Sequence, residues 1–96
     1  MIKEQNRIKR GEALRVIYRN LPHPIGDNVL AQIFTEISLP AIQGHLRYLE
    51  AGGYVELSAV RKDYSTATMM AKLTKKGVDL LEGSIDPDPG IVIPPL

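Results

Sequence analysis

The sequence predicts an α+β domain, mostly helical, built from three helices, a β-hairpin and a short last helix. Apolar residues recur at spacings of three and four through the first half of the chain. Between residues 54 and 73 the period drops to two. Glycine and proline mark each change of period. At 96 residues the chain holds one modest core, which must be aliphatic, because it has four Tyr, one Phe and no Trp.

The first helix runs from Gly11 to about Asn20, with Leu14, Ile17 and Leu21 on one stripe and Val16 broadening it. Leu21-Pro22-His23-Pro24 stops it, since proline disfavours helical geometry in the residue before it. The second helix runs from about Asn28 to Phe34 or Thr35. Asp27 is its candidate N-cap, and Leu30, Ile33, Phe34 and Ile37 form its inward face. The third, Leu39 to Ala51, is capped by Ser38 and has Pro40 in its first turn. Leu39, Ile42, Leu46 and Leu49 make a buried stripe, and Gly52-Gly53 ends the helix through a left-handed glycine.

From Tyr54 to Val60 the residues alternate, with Val55, Leu57 and Ala59 on one face. Arg61 to Ser65 is a polar loop. Thr66 to Leu73 alternates again, with Ala67, Met69, Ala71 and Leu73 together. Thr74 then caps a short helix that ends at Glu82 and stops at Gly83. The last stretch holds four of the seven prolines, so it reads as an extended arm. Its Ile91, Val92, Ile93 and Leu96 are too apolar for a solvated tail. The expected division is a folded domain over 1–83 and an arm over 84–96.

This order is that of a winged helix-turn-helix, with its turn over Thr35–Ser38 and its recognition helix over Leu39–Ala51. Residues 38–55 resemble the recognition helix and first wing strand of ArsR-like and MarR-like regulators. The shared features are His45-Leu46, Leu49, Gly53 and the apolar pair after it. Leu73-Thr74-Lys75-Lys76-Gly77 resembles their step from wing to last helix. Nearly the whole chain is similar to a small winged-helix family encoded by Mu-like phages and prophages. The matching segments are Arg15–Arg19, Asn28, HLRYLEAGGYV at 45–55 and AKLTKKGVDLLEGSIDPDPGIVIPP at 71–95. The resemblance implies a regulator, and it carries over no operator and no activity.

Net charge is +1, but it is a cancellation. Residues 1–19 sum to +4, residues 20–60 to −3, residues 61–76 to +4 and residues 77–96 to −4. Such segregation can give a basic face to a neutral protein, although solvated surface is the plainer reading. Sequence-specific binding of double-stranded DNA is therefore the expectation. On the recognition helix, Gln43 can pair with adenine and Arg47 with guanine or a phosphate. Ser38 and His45 are candidate phosphate contacts, and Gly44 permits close backbone approach. Arg61, Lys62, Tyr64, Ser65 and Thr66 form the expected wing tip. Lys3, Arg7, Lys9 and Arg10 form an expected basic arm along the DNA backbone. A homodimer through the last helix and the C-terminal arm would read two half-sites. The alternative is a winged helix used for protein–protein interaction in phage assembly, without DNA.

The same residues argue against other classes. With no cysteine there is no thiol nucleophile and no thiolate metal site. His23 and His45 form no ligand pair, and no phosphate-cradling glycine loop or acid–base pair is present. No enzyme, cofactor, metal or small-molecule ligand is expected. The N-terminus is polar from its third residue and no apolar run is long enough for a bilayer, so a cytoplasmic location in a bacterial host is expected.

Overall fold

A computed structural model describes residues 2–60 and 68–95. It is an α+β fold in which about half of the chain is helical. In chain order the elements are α1 (Ile2–Arg19), β1 (Ile25–Gly26), α2 (Asp27–Ile33), α3 (Leu39–Ala51), β2 (Val55–Ala59), β3 (Met69–Leu73) and α4 (Lys75–Glu82). The three strands form one antiparallel sheet in the order β1-β3-β2.

The caps and stops form for local reasons. Ser38 Oγ accepts from the Ala41 N–H (3.3 Å), and Thr74 Oγ1 accepts from Gly77 (3.1 Å), each satisfying an amide of a first turn. Gly53 (φ +85°) and Gly83 (φ +78°) take the left-handed conformation that ends α3 and α4. β2 and β3 pair with Val55 opposite Leu73 and Leu57 opposite Ala71, so the expected apolar faces coincide. Ala59 nevertheless lies exposed at the far end of β2, away from the core. Leu14 and Ile17 from α1, Leu30 from α2, Leu46 and Leu49 from α3 and Val55 from β2 are the largest wholly enclosed apolar side chains. Among the described residues Phe34 and Tyr54 are the buried aromatics. α4 closes the core over α1 and β3 through Leu80 and Leu81.

Four features depart from the sequence reading. Leu21, Ile33 and Leu39, expected on the inward stripes, lie at or just beyond the ends of their helices and are exposed. α1 begins at Ile2, not Gly11. The glycine lies mid-helix because the C-terminal arm crosses there: a Cβ on Gly11 would stand 1.7 Å from the Val92 carbonyl oxygen. The hairpin gains a third strand, since Ile25 pairs with Ala71 and Gly26 with Met70. Two residues after a proline turn are too few to show alternation. Finally, Gly26 is the N-cap of α2, while Asp27 is its first helical residue and is fully buried.

The arm has no helix or strand, turns at Pro89-Gly90, where Ile91 N–H donates to the Asp88 carbonyl (3.1 Å), and lies against its own domain. Val92 N–H donates to the Arg7 carbonyl (3.0 Å), and Ile91 is buried.

Candidate nucleic-acid interface

α3 is buried on Ile42, Leu46 and Leu49, and its other side carries the expected readers. Gly44 is exposed, and a Cβ there would meet no atom within 4 Å. Arg47 is exposed and has no partner among the described residues. Ser38 is exposed at the helix start, its hydroxyl oxygen engaged by Ala41.

Gln43 is placed differently. Its Nε2 donates to Asp27 Oδ2 and to Thr68 Oγ1, both at 2.9 Å. Bidentate pairing with adenine needs that amide nitrogen, so Gln43 cannot make it while these bonds hold. They belong to a node built around the buried Asp27 carboxyl. Asp27 Oδ1 accepts from the N–H groups of Asn28 (2.9 Å) and Thr68 (3.0 Å), and Oδ2 accepts also from the Thr68 hydroxyl. Burial pushes the Asp27 carboxyl up, but the bonds from Gln43, Thr68 and Met69 outweigh it and hold it below its ordinary value. The node joins α2, α3 and the root of the β2–β3 hairpin. Sequence reading missed it, because Asp27 and Thr68 lie 41 residues apart.

His45 is half-buried and faces a groove of about 840 Å³ between α3 and the first turns of α1, beside Ile8 and Lys9. Burial, with the charge of Arg10, lowers its pKa from the usual histidine value. A group so biased toward the neutral form is a poor phosphate clamp. Glu50 turns to β2, where its carboxylate accepts from the Leu57 N–H (3.2 Å).

The N-terminal bases lie on α1 itself, and most are used internally. Arg7 pairs with Glu4 (3.0 Å). Lys9 bridges Glu12 (3.0 Å) and Glu36 (2.6 Å). Arg10 donates to the Gly90 carbonyl (3.2 Å) and lies over the Tyr48 ring, 3.6 Å from its centroid. Of the four, only Lys3 is exposed without a partner among the described residues. In the second basic block, Lys75 pairs with Asp79 (2.7 Å) and Lys76 donates to the Gly52 carbonyl (2.9 Å). Lys72, on the exposed side of β3, has no such partner. The expected wing-tip residues Arg61, Lys62, Tyr64, Ser65 and Thr66 lie outside the described residues.

Around Arg10 the arm and helices make a closed seam. Tyr54 OH donates to Asp88 Oδ2 (2.6 Å), and Asp88 Oδ1 accepts from Gly90 N–H (2.8 Å). Burial, then the Asp88 bond, pushes the Tyr54 hydroxyl up to about 12. The same bond holds Asp88 below its ordinary value.

Among the described residues no group of three or more His, Cys, Asp or Glu could hold a metal ion. No helix among them is long and apolar enough to cross a membrane. The class these features define is an α+β domain of four helices and a three-stranded antiparallel sheet, with one open helix face. Compared with known families, characterised proteins and solved structures, the chain has no match.

Proposed function

We propose that the chain is a winged helix-turn-helix that binds double-stranded DNA and regulates transcription in a phage or prophage. The observation that carries this reading is α3: one stripe is buried, while on the other Gly44 is exposed with no atom within 4 Å of its Cβ position and Arg47 is exposed without a partner among the described residues. In this reading the first turns of α3 enter the major groove. Gly44 lets the helix backbone come close, and Arg47 takes a guanine edge or a phosphate. Gln43 acts as a positioning residue, holding the hairpin to α3 through Asp27 and Thr68. Lys3, Lys72 and the wing residues Arg61, Lys62, Tyr64, Ser65 and Thr66 supply phosphate contacts.

Two half-sites would be read by a homodimer. Ile91 is already buried in its own chain. The dimer surface therefore narrows to α4 and the groove beside Leu81, Ile85 and Ile93.

One observation favours a protein partner instead. Val29, Ile33 and Leu39 are exposed large apolar side chains on α2 and at the start of α3, and phosphates offer them nothing.

Salt titration separates the two readings. Affinity for a random duplex should fall log-linearly with salt, with a slope of about −0.9 per phosphate contacted. Arg47→Ala should weaken binding about tenfold and leave the melting temperature unchanged. No binding to any duplex at low salt would exclude DNA and leave the protein-interaction reading.

A further inference from the structure

The first turn of α3 carries no polar side chain. It runs Leu39-Pro40-Ala41, with Leu39 and Pro40 exposed, Leu39 over 37% of its surface. Leu39, Gln43 and Arg47 follow at intervals of four, so they form one ridge of the helix. The middle of that ridge is taken, because the Gln43 amide nitrogen is bonded to Asp27 and Thr68. Its two ends are open: an aliphatic side chain at the helix start and the Arg47 guanidinium two turns on.

Charge does not close the helix start to a polyanion. Asp27 is fully buried under its donors. Glu36, three residues before Leu39, is paired with Lys9 (2.6 Å). A recognition helix meets base edges with its N-terminal residues. Here those residues offer apolar surface alone. In the major groove only thymine answers it, through its C5-methyl group, since adenine, guanine and cytosine present donors and acceptors there.

We propose that Leu39, with Pro40 beside it, is a specificity-determining residue that reads a thymine methyl group. The assignment rests on the DNA-binding role of α3. With Gln43 withdrawn, adenine has no reader on this ridge. What remains is a methyl contact at the helix start and a guanine edge at Arg47. Leu39 and Arg47 stand about 12 Å apart along the helix, at ~1.5 Å per residue. At ~3.4 Å per base step, that is roughly three to four base pairs. The preferred half-site therefore holds a thymine at that distance from a guanine.

Selection of duplexes from a random pool by the full chain, followed by deoxyuridine in place of thymidine, tests this. Deoxyuridine keeps the base pair and its donors and acceptors, and removes only the methyl. Selected duplexes should share a thymine. Deoxyuridine at that position should weaken the parent about fourfold, the loss expected for one methyl left uncovered. Leu39→Ala, a change at an exposed side chain, should fold and bind the two duplexes equally. Arg47→Ala should bind both more weakly and keep the fourfold ratio. The assignment is overturned if selected sites share no thymine, if the parent binds both duplexes equally, or if Leu39→Ala keeps the parent's ratio. Salt-dependent binding that ignores the methyl removes this assignment alone. No binding to any duplex at low salt removes the DNA reading with it, and leaves the exposed apolar residues to a protein partner.

Discussion

Gly11 in α1 and Gly44 in α3 both interrupt helices, where glycine costs roughly 0.5–1 kcal/mol against alanine. Their surroundings are opposite. Gly11 lies beneath the arm, with the Val92 carbonyl where a side chain would begin, whereas Gly44 faces open space. Around Gly11 the charged side chains are used: Arg7 on Glu4, Arg10 on Gly90 and Tyr48, Arg15 on Pro94. Around Gly44 the side chains divide: Gln43 is bonded to Asp27 and Thr68, while Arg47 has no partner among the described residues. The first region uses its arginines to hold the chain together, and the second leaves Arg47 over. The glycine under the arm has a structural reason, and the glycine on α3 has none inside the fold.

The sharpest way to break this contrast is at the node beneath the open face. Asp27→Ala takes the acceptor from the N–H groups of Asn28 and Thr68 and one of its two acceptors from the Gln43 amide. It should cost about 2–4 kcal/mol in urea unfolding, since each stranded donor costs about 1–3 kcal/mol and water recovers part of it at the exposed Thr68. The carboxyl is held below its ordinary value, so its contribution is fully present above the unfolded value, near ~3.9, and is lost as pH falls through the lower folded value. Stability should therefore drop as pH falls below about 4. Asp27→Asn, weaker at pH 7, should show a shallower acid loss. An unchanged acid profile in Asp27→Asn would remove the node from the account.

Gly11→Ala is the next test in size. Its Cβ cannot coexist with Val92 as placed, so the arm must lift. Helix propensity should return less than the lost contacts, giving a net loss of about 1–3 kcal/mol. Hydrogen exchange should localise the loss: the Val92 amide, bonded to the Arg7 carbonyl, should exchange faster while α3 amides keep their protection. Equal loosening in both regions would mean that the arm is not a separate fastening.

What the sequence showed and hid follows the same division. α3, the two strands of the hairpin with their apolar faces and α4 were legible because their signals are local: Ser38 and Thr74 as caps, Gly53 and Gly83 as stops, alternation over 55–59 and 69–73. The first half of α1 was hidden because Gly11 read as a boundary, and only a segment some 80 residues away explains a glycine there. Arg15 and Pro94 lie 79 residues apart, and nothing in the helical pattern marks that arginine as buried. The charge blocks were legible as sums and misleading as surface, because Glu4, Glu12 and Glu36 answer the N-terminal bases once the chain folds. Gln43 was correctly placed on α3, but its partner across the hairpin could not be seen from spacing.

Gly44→Ala has the smallest effect on stability and the most to say about use. With no atom within 4 Å of the new methyl, the substitution removes backbone entropy from the unfolded chain at no steric cost. The protein should gain about 0.5–1 kcal/mol in thermal or urea unfolding. If the glycine serves close approach of α3 to a duplex, the same variant should bind DNA more weakly, because a methyl at that point holds the helix off the groove floor. Stability rising while affinity falls is a pairing that folding alone does not produce. A variant that is more stable and binds equally well would show Gly44 to be incidental, and the open face would then rest on Arg47.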